Sequence, residues 1–310
     1  MARSRSHSWG DRFFRGASLG FALSILGIVV AIAGSLAWNS RFAIQKFGGS
    51  FLWGQTWDPV LEIFGALPFI YGTLMTSAVG LLIAVPLGLG TAIFLAEMAS
   101  PHVSEAISFL VELLAAIPSV IYGLVGLFVV VPWVRSSAGP CLEAVLGWFP
   151  LFQGTPYGVG LLTAGIILAA MIVPFVTTVS REVLLTVPRA QREAALALGA
   201  SHWETVWMAI LPYARSGIVG SIFLALARAL GETMAVTMVV GNRPEIKASL
   251  LEPGYTMAAV LANEFSEATS DLYLHALVEI GLVLFGVTFL VNGVARLMLM
   301  RMGHAGEVRV

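Results

Sequence analysis

Six long apolar stretches constrain the fold of this 310-residue chain more than any other feature of its sequence. A helix that crosses a bilayer needs about 20 mostly apolar residues, and each stretch meets that length. The stretches are residues 17–38, 72–98, 104–134, 157–179, 217–240 and 272–300. Each must satisfy its own backbone hydrogen bonds, because the hydrocarbon core supplies no partner for them. The sequence therefore predicts an all-α integral membrane protein, a bundle of six transmembrane helices.

The composition excludes several classes of protein. Hydrophobic residues make up 58% of the chain and charged residues 11%, whereas charged residues make up about 25% of an ordinary soluble domain. The formal net charge of −1 provides no overall field that would attract a polyanion, so no nucleic-acid partner is expected. The single cysteine, Cys141, excludes a disulfide within the chain.

Motifs for ATP binding and metal binding are missing from the sequence. A P-loop needs a lysine followed by Ser or Thr, but Phe47 follows Lys46 and Ala248 follows Lys247. The five histidines are isolated, without the His-Glu-x-x-His spacing of a zinc site. We therefore expect no enzyme, no metal site and no cofactor bound by this chain.

The distribution of Lys and Arg predicts the orientation of the bundle. With the N-terminus inside, the cytosolic segments hold eleven: Arg3, Arg5, Arg12, Arg15, Arg181, Arg189, Arg192, Arg215, Arg296, Arg301 and Arg309. The external segments hold five: Arg41, Lys46, Arg135, Arg243 and Lys247. Because basic residues are enriched in cytosolic loops, both termini are expected in the cytosol. The first stretch is too long for the apolar region of a signal peptide, so we expect it to stay as a helix.

Pro118 interrupts the third apolar stretch. Proline removes a backbone donor and clashes with the preceding turn of a helix, so a kink or a break is expected near residues 117–119. The hydroxyl of Ser119 could satisfy a carbonyl that the break leaves free.

The connection between the fourth and fifth stretches, residues 180–216, is long, polar and helical in character. Pro188 suits the start of a helix, Ala194 and Ala195 favour its interior, and Gly199 suits the left-handed residue that ends it. A second segment, residues 202–210, leads to Leu211 and Pro212. The pattern predicts a short helix, a sharp turn and another helix along the membrane face, which by itself is compatible with an ordinary connector.

The fifth stretch carries two charged residues, Arg228 and Glu232. Residues four apart share a helix face, and a charge at the bilayer centre costs about 2.5–3.5 kcal/mol on insertion scales. One interpretation is an ion pair that locks the packing of the helices. The other is that Arg228 meets a translocated anion, while Glu232 neutralises the arginine between transport events. For two further acidic residues, Glu112 and Glu279, we favour a structural role.

The spacing of the connection carries a resemblance. Glu193, Ala194 and Ala195, then three residues, Gly199, and finally Leu211 and Pro212 resemble the signature loop of the ABC importer permeases. The isoleucine usual two places before the leucine is Ala209 here, with Ile210 beside it. The resemblance implies that the loop, residues 189–212, forms a coupling helix that docks onto a separate ATPase.

Three further segments resemble the phosphate-specific branch of that family. They are Phe-Gly-Ala-Leu-Pro-Phe-Ile-Tyr-Gly-Thr at 64–73, Ile-Pro-Ser-Val-Ile-Tyr-Gly at 117–123 and Arg-Ala-Leu-Gly-Glu-Thr-Met-Ala at 228–235, and Asn242 also matches. The resemblance covers nearly the whole chain and implies the type I ABC importer permease fold. It divides the chain into a cytosolic tail (1–16), an additional transmembrane helix (17–38), an external loop (39–71), the permease domain (72–296) and a second cytosolic tail (297–310).

The resemblance also implies partners and a mechanism. The chain would form half of a pore in the bacterial inner membrane, in contact with lipid and paired with a homologous second permease. A dimeric ATP-binding subunit would bind and hydrolyse ATP, and a phosphate-binding protein would deliver inorganic phosphate from outside to the external segments 39–71, 136–156 and 242–271. Transport would follow alternating access, with residues 193–199 transmitting force and with Arg228 and Glu232 in the substrate pathway.

Three alternatives stay open at this point. The chain could be a permease for another oxyanion, such as sulfate, molybdate or a phosphonate, because the loop signature does not distinguish them. An ion-coupled secondary carrier would also show polar residues in broken helices, but it would not need a docking loop. A membrane-embedded enzyme has the least support.

Overall fold

The computed structural model of the protein describes residues 9–307. The predicted tails therefore lie partly outside the described residues, and Arg3, Arg5 and Arg309 lie entirely outside them. Six helices in the described part are long and apolar enough to cross a membrane: Arg12–Asn39, Leu67–Met98, Ser119–Leu146, Leu161–Leu185, His202–Leu230 and Asp271–Met300. This confirms the predicted six-helix, all-α architecture.

Within residues 9–307 the helices follow one another along the chain, and one small sheet lies among them. They are α1 (Trp9–Asn39), α2 (Arg41–Phe47), α3 (Ser50–Trp53), α4 (Leu67–Ile93), α5 (Pro101–Ala116), α6 (Ser119–Val125), α7 (Val131–Trp133), α8 (Gly139–Leu146), α9 (Leu161–Leu185), α10 (Arg189–Ala197), α11 (His202–Thr205), α12 (Leu211–Leu230), α13 (Met234–Thr237), α14 (Met257–Glu264) and α15 (Asp271–Glu307). Short π-helical turns at Phe94–Met98, Gly126–Val130, Val134–Ala138 and Val206–Ile210 extend neighbouring helices, and Pro150–Phe152 is a 3₁₀ turn. Strands β1 (Trp57–Asp58) and β2 (Ile63–Phe64) form an antiparallel hairpin in which Trp57 pairs with Phe64.

A parallel pair of helices, α4 and α9, forms the centre of the bundle. The backbones approach closely because glycines lie at the contact: a Cβ on Gly80 would lie 3.2 Å from Leu168, and one on Gly88 would lie 2.8 Å from Val176. Small residues allow helices to pack in this way inside a membrane. Helix α12 runs antiparallel to α9 and is joined to it by a buried hydrogen bond of 2.8 Å between the hydroxyls of Ser180 and Ser221.

The third apolar stretch is divided into two helices. Helix α5 ends at Ala116, and Ile117 and Pro118 have extended backbones with ψ angles of 129° and 139°. The break follows from Pro118, which lacks an N–H and also disfavours a helical conformation in the residue before it. The candidate membrane span then begins at Ser119 and continues to Leu146, so the segment 136–156, left undefined by the sequence, is helical in its first half.

The predicted bounds of the fifth span, 217–240, are wrong at both ends. The helix starts 15 residues earlier, at His202, and ends at Leu230. At the start, a capping box between Ser201 and Glu204 satisfies backbone donors that a helix otherwise leaves free. At the end, Gly231 interrupts the helix, and a separate short helix, α13, follows.

The segment between α1 and α4 is a folded unit rather than a simple loop. Its hairpin packs its aromatic rings against Phe69 and Tyr273. One carboxylate oxygen of Glu264 accepts hydrogen bonds from the indole of Trp57 at 2.8 Å and from the hydroxyl of Tyr273 at 2.6 Å. These bonds fix the segment to α14 and α15.

The loop after α13 caps the start of α9. The carbonyls of Leu250 and Glu252 accept hydrogen bonds from the backbone N–H groups of Leu162 and Leu161, at 2.8 and 3.3 Å. These donors have no partner within their own helix. In the same loop the carboxylate of Glu252, 3.1 Å from Lys247 Nζ, raises the pKa of that lysine.

A single added methyl group at Gly72 should destabilise the protein. A Cβ there would overlap the backbone carbonyl of Tyr255, which cannot rotate away, so Gly72→Ala should lower the free energy of unfolding by about 1–3 kcal/mol. Gly90→Ala in the same helix is the matched control, because nothing lies within 4 Å of its Cβ position. Thermal unfolding of the purified chain in detergent checks this, and equal midpoints for the two variants would contradict it.

Candidate functional site

Two breaks between consecutive helices lie close together in the bundle. The first separates α5 from α6 at residues 117–118, and the second separates α12 from α13 at residues 231–233. Helices α6 and α13 are in contact: a Cβ on Gly123 would lie 2.6 Å from the sulfur of Met238 and 3.2 Å from the Cα of Ala235. Broken helices of this kind surround binding sites in membrane transporters, because the interruption frees backbone groups.

Arg228 lies one turn before the second break and has an unusual environment. Its guanidinium carbon is 4.6 Å from the centroid of the Phe175 ring, on α9. Its Nε is buried and has no hydrogen-bond partner within the described residues. The charge also acts electrostatically on the hydroxyl of Tyr122, which donates a hydrogen bond of 2.9 Å to the carbonyl of Leu114 across the first break. An arginine thus lies between the two helix breaks, and no carboxylate within the described residues pairs with it.

Glu232 does not neutralise this arginine in the structure. The expectation that the two share a helix face is wrong, because α12 ends at Leu230 and Glu232 lies in the break. Its carboxylate instead accepts a hydrogen bond of 3.3 Å from the backbone of Ala235 at the start of α13. No ion pair joins Arg228 and Glu232 in the part of the chain that the structure describes. Their role in the substrate pathway stays a prediction.

Arg228 has the hydrogen-bond donors that an anion needs. A guanidinium presents five N–H donors in a fixed planar fork, which fits two oxygens of a carboxylate or of a tetrahedral oxyanion. The Phe175 ring partly compensates the charge through a cation–π interaction and holds the side chain in position. Sequence reasoning missed Phe175 and Tyr122, because no spacing rule links aromatic residues on separate helices to an arginine on a third. Within residues 9–307 no group of three or more His, Cys, Asp or Glu could hold a metal ion.

Asn242 closes the segment that follows α13. It has a left-handed backbone, with φ of 52°, which asparagine tolerates better than most residues. Its side-chain amide donates a hydrogen bond of 3.0 Å to the carbonyl of Thr237, the last residue of α13. Asn242 therefore fixes the end of α13, the short helix that follows the second break.

The connection between α9 and α12 has the predicted helix and turn. Helix α10 begins at Arg189 after Pro188. Gly199, with φ of +87° and no atom within 4 Å of its Cβ position, makes the turn. Glu193 and Ala194 are exposed and Ala195 is half-buried. Leu211 and Pro212, however, do not end a separate segment, because helical backbone continues from His202 through them to Leu230.

Large apolar side chains cover the outside of this connection. Leu198 is 90% exposed and Met208 is 75% exposed, and Trp203 and Trp207 are more than half exposed. Exposed apolar surfaces of this kind are typical of contacts with another protein or with lipid.

Comparison with known proteins agrees with this architecture. The sequence model of the family described as "Binding-protein-dependent transport system inner membrane component" matches residues 84–304. Proteins named phosphate transport system permease protein PstC are similar along their length: the one from Mesorhizobium japonicum is 47% identical, with 97% of this chain and 93% of the relative covered. The one from Haemophilus influenzae is 45% identical, with 97% and 98% covered.

Solved structures show the same fold at low sequence identity. A chain of a bacterial alginate ABC transporter, in complex with a periplasmic protein, matches with a TM-score of 0.61 at 16% identity, covering 96% of this chain and 98% of its own. A chain of the MetNI methionine ABC transporter matches with a TM-score of 0.54 at 16% identity, covering 80% and 99%. These matches confirm the predicted type I ABC importer permease fold. The chain belongs to the family of binding-protein-dependent transport system inner membrane components, which are membrane permease subunits of ABC importers rather than enzymes, with the ATPase on a separate subunit.

Proposed function

We propose that the chain is the permease subunit of an ATP-driven phosphate importer and forms half of its translocation pathway. The observation that carries this proposal is the similarity, along 97% of the chain, to relatives named as phosphate permeases. An arginine between the two helix breaks that has no carboxylate partner among the described residues supports an oxyanion as the substrate.

Arg228 is the residue that meets the anion in this proposal. Phosphate that reaches the centre of the bundle accepts hydrogen bonds from the guanidinium, whose Nε has no other partner in the described chain. Charge pairing inside a membrane is favourable because the surroundings screen the interaction weakly. Glu232 lies in the helix break, so a rearrangement of residues 231–233 would bring its carboxylate to Arg228 when the pathway is empty.

The connection at residues 189–212 couples the permease to the ATPase. Glu193 and Ala194 are exposed on α10, Ala195 beside them is half-buried, and Gly199 sets the turn into α11. From His202 to Arg228 the chain is one continuous helical element, about 39 Å long at 1.5 Å per residue. Leu211 and Pro212 lie within this element. A displacement of the docked segment therefore reaches Arg228 through this one continuous helical element.

The proposed assembly contains four kinds of partner. A homologous second permease completes the pore, two copies of an ATP-binding subunit bind ATP, a phosphate-binding protein delivers substrate outside, and lipid surrounds the bundle. No cofactor is bound by this chain. Both termini lie in the cytosol in this proposal, as the excess of basic residues on that side indicates, and the folded segment between α1 and α4 faces the binding protein.

Uptake of labelled phosphate tests this function. Cells that lack their own high-affinity uptake would express the chain with its three partner proteins, with excess sulfate as competitor and with an ATPase-inactive partner as control. We expect uptake that resists sulfate and disappears with the inactive ATPase. Uptake that survives the inactive ATPase would indicate a secondary carrier, and an assembled complex that moves sulfate but no phosphate would indicate another oxyanion.

Removing the charge of Arg228 should block translocation. Arg228→Gln should lower phosphate uptake by about 10- to 100-fold, the loss expected for a hydrogen bond to a charged group, while the complex still assembles. Arg228→Lys, which keeps the charge but loses the fork, should retain part of the activity. Arg296→Gln, an exposed arginine near the end of α15, is the control. Failure of the Arg228→Gln complex to assemble would instead indicate a structural role.

The left-handed backbone of Gly199 gives a second prediction. Gly199→Val should uncouple ATP hydrolysis from uptake, because a β-branched residue is strongly disfavoured at positive φ. Gly199→Asn should keep most of the uptake, since asparagine tolerates this conformation. The Cβ position is open, so steric contact would not explain a difference between the variants. Phosphate transported per ATP hydrolysed is the measurement, and normal coupling in the valine variant would refute the prediction.

A further inference from the structure

One polar side chain of helix α10 joins it to the central pair of membrane helices. None of its nine residues is buried, so a hydrophobic core does not hold it in place. Arg192 is half-buried and points back toward the bundle, where it meets Glu97.

Arg192 and Glu97 form a bidentate ion pair. Nη2 of Arg192 lies 2.6 Å from one carboxylate oxygen of Glu97, and Nε donates to the other oxygen at 3.1 Å. The exposed fractions of the two side chains are 20% and 11%, so solvent screens the pair only weakly. The planar fork of arginine makes this geometry specific, because a lysine could not donate both bonds.

The same guanidinium also binds the end of α9. Nη2 donates to the carbonyl of Leu184 at 2.9 Å, and Nη1 donates to the carbonyl of Val187. The last carbonyls of a helix have no partner within it, and a positive charge at this end is favoured by the helix dipole. Glu97 lies in the π-helical turn at the end of α4. Arg192 therefore joins α10 to both helices of the central pair.

This attachment leads toward the substrate site. Helices α4 and α9 are closely packed through glycines, and α9 carries Phe175, on which Arg228 stacks. Leu184 and Phe175 are nine residues apart, which corresponds to about 14 Å along the helix. A displacement of α10 that moves Leu184 therefore also moves the ring beneath Arg228.

We propose that Arg192, held by Glu97, is the positioning residue through which the coupling helix drives the α4–α9 pair. This inference rests on the proposed function of the chain as an importer subunit. It adds a second connection beside the helix that runs from His202 to Arg228, and it assigns a purpose to a half-buried charge pair on a helix that has no fully buried side chain.

Coupling in reconstituted complexes tests this proposal. Wild-type, Arg192→Gln, Glu97→Gln, the double variant and Arg192→Lys would be assembled with the partner subunits in proteoliposomes, with Arg15→Gln as control. Assembly, ATP hydrolysis stimulated by the binding protein, and phosphate transported per ATP would be measured. We expect intact assembly, continued hydrolysis and a fall of about tenfold or more in phosphate per ATP for each single variant. The double variant should equal the single variants, because the two residues act as a unit.

A distance measurement separates positioning from simple stability. In a Cys141→Ser background, spin labels at the exposed Leu198 and Met98 would report the separation of α10 from the end of α4. Arg192→Gln should broaden that distance distribution, and Arg15→Gln should not. Loss of assembly, or a parallel fall of hydrolysis and transport at unchanged distance, would overturn the proposal. A wild-type complex whose stimulated ATPase works without phosphate transport would refute the proposed substrate alone, since the distance comparison does not depend on it.

Discussion

The close contact between α4 and α9 is the constraint on which the rest of the structure depends. Glycines at positions 80, 88 and 165 leave no space for a side chain between the two backbones, so the two helices present one continuous surface to their neighbours. Helix α12 packs against α9 through Ser180 and Ser221, and α5 also packs against α9. Since lipid offers no hydrophobic driving force between helices, dispersion contacts at such short range are what hold the bundle together. The broken helices can exist only because an unbroken pair supports them.

The breaks carry a cost that neighbouring segments offset. A free backbone group in hydrocarbon costs several kcal/mol, and here loops and side chains provide partners. Carbonyls of the loop at 250–252 accept hydrogen bonds from backbone N–H groups at the start of α9. The hydroxyl of Tyr122 donates a hydrogen bond to a carbonyl before the first break. The carboxylate of Glu232 accepts a hydrogen bond from the backbone at the start of α13. The Nε of Arg228 is one of six buried side-chain atoms that have no hydrogen-bond partner in the described chain. The structure thus satisfies the backbone around its centre while leaving a cationic donor available there.

The sequence predicted what depends on local pattern and missed what depends on tertiary contact. Four of the six apolar stretches lie largely within one spanning helix each, and the third runs across α5 and the span that follows it. The turn at Gly199 follows from the conformational freedom of glycine. The bounds of the fifth span were wrong, because residues 202–216 look too polar for a membrane helix and because Gly231 among good helix formers gives only a weak signal of a break. The Glu264 contact with Trp57 joins residues 207 positions apart, and the ion pair of Glu97 with Arg192 joins residues 95 apart. No periodicity in a single sequence reports such pairs.

The π-helical turn at Val206–Ile210 has a consequence for how the two ends of its helix are aligned. Such a turn amounts to one extra residue in an α-helix, and each residue of an α-helix rotates the chain by about 100°. The turn therefore sets the angle between the face of α11 that meets the docking segment and the face of α12 that carries Arg228. Deleting one residue there would give a more regular helix, yet it would rotate one face away from its target. The π-helical turn therefore fixes how the face of α11 is rotated relative to the face of α12 that carries Arg228.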